Sequence, residues 1–305
     1  MLTSIFSKSK PVNFIIIAIV VIMVFLGHIY LRNDLDIFSF SYFTTAPIIV
    51  LFYVFLSDFI ISKNDLTKKN SYGIMIFGIT VIVFPEIFNH LDVLIANLLI
   101  LFALRRLFSL HTKRSLSKKF FDAVFWISLA TLFHTWALLF LILVIVALAN
   151  FWQSEIKHVV VSIFGMVTVC ILLSVYNIVF NDAYFLPSNF DIEFSFDFSV
   201  YNTPYKILRL TILISIFLWS LIFYIKSISN KSRKQKPIHV LVIVSAFLGL
   251  IVALLETEKT GSEFIFFMVP FSIITANYLQ SIKEKWFREI FVLLLLLVPL
   301  SKLFL

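Results

Sequence analysis

The chain is poor in charge, in glycine and above all in cysteine. Charged residues make up 14% of its 305 positions and hydrophobic ones 61%. Soluble globular domains run near 25% charged and about 45–50% apolar, so a water-soluble fold is excluded. The single cysteine, Cys170, rules out an intrachain disulfide and any thiolate metal site. Six glycines and eight prolines are too few for a low-complexity or loop-rich chain. The apolar runs also lack the residue-by-residue alternation of an outer-membrane barrel.

What is present is a series of long apolar runs. About 20 residues at 1.5 Å each cross the hydrocarbon core. Runs of that kind predict spans over 12–31, 46–61, 71–88, 90–104, 159–180, 205–225, 237–255, 265–279 and 290–305. The stretch 120–152 is too long for one span, about 50 Å as a single helix. As a hairpin turning near His134 and Thr135 it supplies two more. The expected architecture is an all-α integral membrane bundle of about eleven helices with short loops, forming one domain over 1–305.

Lys and Arg decide between one span and two at 120–152. With the hairpin, 20 basic residues fall on one side of the membrane and five on the other (Arg32, Lys206, Arg209, Lys259 and Lys302); with a single span the split is 15 to 10. Basic loops remain in the cytoplasm. The hairpin is therefore favoured, with the N-terminus cytoplasmic and the C-terminus extracytoplasmic. The first run is too long for a signal-peptide core and reads as an uncleaved span. The net charge of +8 is explained by topology and lipid headgroups, so no nucleic acid is expected as a partner.

One segment breaks the helical pattern. From Phe190 to Tyr201 apolar and polar residues alternate, which predicts an extracytoplasmic amphipathic strand. It rests its Phe face on the bundle or the membrane interface, or pairs with another chain, or is an unstructured loop whose alternation is chance.

Candidate chemistry is confined to the outer face, which is net acidic. Asp34 and Asp36, beside Arg32 in the first outer loop, are candidate catalytic carboxylates. Such a pair binds a divalent cation or serves as base toward an acceptor hydroxyl. With nine Asp in the chain, about 0.3 such triplets arise by chance, so the motif alone is weak. Arg32, Lys206 and Arg209 violate the sidedness rule and are candidate ligands for the phosphate of a lipid carrier, set against snorkelling to the interface. His28, His90 and His134 lie at one level but lack metal-ligand spacing, and no metal site is assigned to them.

The opening SIFSKSKPVNFIII and the stretch ANLLILFALRRLFSLHTKRSLSKKFFDAVFWISLATLF resemble an uncharacterised family of polytopic bacterial inner-membrane proteins, over the whole chain. That resemblance implies a place in the bacterial cytoplasmic membrane and in lipid-linked glycan metabolism. A looser similarity, on Asp34 and Asp36, is to membrane glycosyltransferases that use polyprenyl-phosphate sugars. The first outer loop here is shorter than in those enzymes. Three functions remain open: glycosyl transfer or an accessory role in it, a non-enzymatic scaffold binding other membrane subunits, and a transporter. The small number of ionisable residues inside the spans weighs against the last.

Overall fold

The computed structural model describes residues 2–32, 40–150, 156–181 and 194–301. Among the described residues the regular structure is helical throughout, with no strand. The α-helices are α1 (Leu2–Ile5), α2 (Pro11–Arg32), α3 (Phe40–Lys63), α4 (Tyr72–Val83), α5 (Leu91–Phe108) and α6 (Leu116–Ala130). They continue with α7 (Leu141–Asn150), α8 (Ile156–Asn181), α9 (Pro204–Ile228), α10 (Lys236–Leu255), α11 (Ile265–Ser281) and α12 (Lys285–Ser301). Over the described residues, every apolar run read as a span is largely helical. Seven helical segments are long and apolar enough to cross a membrane.

α11 is the axis of the bundle, packed by α4, α9 and α10. Its residues are almost entirely buried, so it is apolar all round. Close approach is secured by small residues. A Cβ on Gly249 of α10 would stand 2.8 Å from the Phe266 carbonyl and the Phe267 Cα of α11. One on Gly165 of α8 would stand 2.8 Å from the Phe121 carbonyl of α6. Small residues at such crossings let backbones meet without a hydrophobic driving force. At the periphery, α2 and α8 leave Ile15, Met23, Leu26, Ile163, Phe164 and Ile171 exposed. Exposure on that scale fits a helix facing lipid and not one facing water.

The stretch 120–152 does turn back on itself. α6 ends at Ala130, and a 3₁₀ segment over Thr135–Phe140 leads into α7. His134 Nε2 lies 3.0 Å from Glu256 Oε2 at the end of α10. At the opposite end, His158 at the start of α8 meets Ser117 at the start of α6, Oγ to Nδ1 3.0 Å. The chain therefore reaches one end at His134 and is back at the other by His158. No Gly or Pro marks this turn. The backbone N–H groups of Leu132, Phe133 and His134 bond carbonyls of Ala130 and Leu129, closing the helix by tightened turns.

The strand expected over 190–201 is not formed by its described part. Residues 194–198 have no regular structure, and Ser199–Tyr201 is a 3₁₀ turn. The polar half of the alternation bonds locally: Asp197 N–H donates to Ser195 Oγ at 3.1 Å, and Ser199 N–H to Asp197 Oδ1 at 2.8 Å. These two-residue turns compete with an extended ladder. The apolar half, Phe194, Phe196, Phe198 and Val200, stays exposed.

Candidate functional site

Four connections meet at the end of the bundle that carries His134. They are the 3₁₀ turn Pro85–Asn89 after α4, residues 131–140, the segment 194–203, and the loop 256–264 between α10 and α11. The turn 85–89 packs directly on the turn Ser262–Phe264. Sequence dictates each break. Pro85 cannot continue α4 because it lacks an N–H. Glu256–Glu263 reads ETEKTGSE, the polar stretch between two apolar helices.

At the centre is Arg209 of α9, with no exposed surface at all. Its Nη1 donates to Glu86 Oε1 at 2.8 Å, to Glu86 Oε2 at 3.0 Å and to the Val83 carbonyl at 3.2 Å. The guanidinium lies over the Phe84 ring at 4.5 Å, and the Tyr205 ring is at 5.6 Å. Its other edge, Nε with Nη2, finds no well-directed acceptor among the described residues. That edge is the planar fork that takes two oxygens of a phosphate or carboxylate.

Gly261 faces this fork. Its φ of +101° is open to glycine at little cost. A Cβ there would lie 3.4 Å from Nη2 and 3.7 Å from the Glu86 carboxyl. The Gly261 N–H donates to Glu263 Oε2 at 2.8 Å, and the Tyr201 hydroxyl donates to Glu263 Oε1 through a very short bond. Burial, with the Glu263 charge beside it, pushes the Tyr201 phenol well above its ordinary range. Tyr201 is therefore a fixed donor that does not titrate near neutrality.

The segment 194–201 is strapped over this end. Lys259, itself buried, donates from Nζ to the Ser195 carbonyl at 2.6 Å and lies 4.8 Å above the Phe198 ring. Lys206 Nζ donates to the Val200 carbonyl at 2.9 Å. Ser195 N–H reaches the Leu255 carbonyl at 3.4 Å. Glu256 completes the rim. Burial alone would raise its pKa, but the hydrogen bond and charge of His134, with the Thr257 and Glu258 backbone N–H groups, outweigh it and hold the carboxyl low.

Of the residues singled out from sequence, Arg209 lies at the heart of this cluster and Lys206 one helical turn away on the strap. Asp34 and Asp36 fall outside the described residues, as does the Arg32 side chain at the end of α2. His28 and His134 do not converge: His28 Nε2 meets Asn89 Oδ1 at 2.7 Å, while His134 pairs with Glu256 and stacks on Phe266. Among the described residues no group of three His, Cys, Asp or Glu side chains is placed to hold a metal. Glu263, Tyr201 and Gly261 were not anticipated. One signal was available: Gly261 is the single glycine outside the apolar runs.

Fold and site together describe a helical bundle of membrane-protein type with a closed polar cluster at one end. The chain belongs to a family of unknown function, DUF6427, whose profile matches residues 1–304. No curated protein and no solved structure matches it.

Proposed function

We propose that the protein is a multi-pass bacterial inner-membrane protein of eleven spans. The Arg209 end faces outward, and there it binds the phosphate of a polyprenyl-phosphate lipid, for a glycosyl transfer step or as an accessory to one. The observation that carries this reading is the buried Nε–Nη2 edge of Arg209, which lies beside Gly261 and has no well-directed acceptor among the described residues. A buried guanidinium leaves donors unused only at a cost of about 1–3 kcal/mol, and a phosphate would satisfy both donors at once. Lys206 and Arg32 would add charge at the same membrane level. Asp34 or Asp36 would act as base toward the acceptor hydroxyl, directly or through a divalent cation. Entry requires the groups packed on Arg209 to move apart, since it is fully covered. The double variant Asp34→Asn with Asp36→Asn is expected to abolish a lipid-linked glycan product while the protein still inserts. An unchanged glycan profile in that variant would refute the catalytic part of the reading.

A second reading rests on a different observation. Phe194, Phe196 and Phe198 are exposed on a segment pinned by Lys206 and Lys259. That is the arrangement of a membrane subunit presenting aromatic anchors to a protein partner. Purification in mild detergent separates the two. A stoichiometric partner lost on Phe194→Ser with Phe196→Ser supports the scaffold, and a lone protein carrying lipid supports the first reading.

A further inference from the structure

The opposite end of the bundle holds a cavity of about 430 Å³ between the ends of α3 and α5, the turn 109–115 and the start of α6. That volume lies within the range of small-ligand sites. Its lining is cationic: Lys63, Arg105, Arg106, Arg114, Lys118 and Lys119. Asp122 is the one carboxylate of the lining among the described residues, and it is engaged by Arg106 Nε at 2.8 Å. Lys119 Nζ is held by Thr112 Oγ1 at 2.7 Å, and Arg105 stacks over Phe59 at 5.0 Å. Lys63, Arg114 and Lys118 pair with no carboxylate among the described residues. So many cations around one space repel each other unless an anion joins them.

Two further observations point the same way. Lys113 and Ser115 both adopt positive φ, 53° and 50°, which sets the loop sharply around Arg114. Strained positions of this kind are retained where a site needs them. Ser115 sits at the N-cap of α6 without making a side-chain cap, so the first turn of that helix adds its positive pole to the cavity.

The mouth of the cavity says what carries the anion. Phe59 lines it and ends an exposed apolar row on one face of α3: Ile48, Phe52, Phe55 and Phe59. The spacing of four, three and four residues keeps them on one side of the helix. A free phosphate or a nucleotide has no use for that row, whereas acyl chains do.

We infer that this cavity is a binding site for the phosphate headgroup of an anionic phospholipid, whose acyl chains lie along the Ile48–Phe59 row. The site is separate from the Arg209 cluster and stands or falls independently of it.

The test uses the full chain in a neutral detergent, titrated with dioleoylphosphatidylglycerol, with dioleoylphosphatidylcholine, and with inorganic phosphate, reading the midpoint of thermal unfolding. Saturable stabilisation by phosphatidylglycerol alone is expected. The variant Lys63→Gln, Arg114→Gln, Lys118→Gln should weaken the apparent affinity by about tenfold or more, since each headgroup contact is charge-assisted. Removing three cations from a different loop, Lys231→Gln, Lys234→Gln, Lys236→Gln, should leave it unchanged. If the triple variant does not fold, Arg114→Glu alone, at an exposed loop position, should weaken binding in the same direction. Equal stabilisation by both lipids, or equal losses in the two triple variants, would overturn the site. Phosphate acting as strongly as the lipid would overturn the assignment to a phospholipid.

Discussion

Glu86 and Arg209, 123 residues apart in sequence, form an ion pair that locks the turn after α4 to the start of α9, Oε1 to Nη1 at 2.8 Å. The Arg209 side chain has no exposure and that of Glu86 is 24% exposed. Removing one partner of such a pair strands the other charge in a dry site. Glu86→Gln should therefore lower stability by about 3 kcal/mol, toward the low end for buried pairs because Glu86 retains some solvent. Thermal unfolding in detergent measures it. A change within about 0.5 kcal/mol, as at ordinary surface positions, would mean the pair contributes little.

Gly261→Ala tests the cradle beside Arg209. The φ of +101° is unfavourable for alanine, while the new Cβ would make ordinary contact with Nη2 at 3.4 Å. A destabilisation of about 1–2 kcal/mol is expected. The control Gly27→Ala, where a Cβ would meet nothing within 4 Å, should be neutral or stabilising, as is usual for Gly→Ala inside a helix. Equal effects at the two positions would show that backbone conformation at Gly261 is not constrained.

The Glu256–His134 contact predicts a pH dependence of definite sign. The Glu256 carboxyl is held below its ordinary value in the folded protein. Its contribution is then fully present above the unfolded pKa and is lost as pH falls through the folded one. Wild-type stability should fall between about pH 5 and the folded pKa of Glu256 more steeply than that of Glu256→Gln. Parallel stability curves for the two proteins in that window would contradict the assignment.

The hairpin at 116–150 places residues 112 and 258 at opposite ends of the bundle. In a Cys170→Ser background, Glu258→Cys should react with a membrane-impermeant maleimide on intact cells. Thr112→Cys should react only after permeabilisation. The same labelling pattern at both positions would remove the proposed orientation.

The helices were legible because lipid-facing and interhelix packing both demand apolar runs, and those runs are continuous in sequence. The turn at 131–134 carries no turn chemistry of its own. It was legible only through the distribution of Lys and Arg over all the loops, a long-range property. The 190–201 alternation misled because period two reports which side chains share a face, not whether a neighbouring edge exists to pair with; here the Ser195 and Asp197 side chains accept hydrogen bonds from the local backbone N–H groups of Asp197 and Ser199. Arg209 stood out as a cation at the wrong end of a span and Glu86 as an outer acid that could meet it, but nothing in the sequence paired the two. Nor did sequence show that the basic residues of 105–119 enclose a cavity, since that depends on how α3, α5 and α6 pack.

The central claim, that the Arg209 fork receives a lipid phosphate, is tested most directly by mass spectrometry of lipids retained by the protein purified in mild detergent. Wild type should carry a polyprenyl phosphate. Arg209→Lys, which keeps the charge but loses the fork, should lose it while remaining monodisperse. Retention of polyprenyl phosphate at wild-type occupancy in Arg209→Lys, or its absence from wild type, would contradict the account.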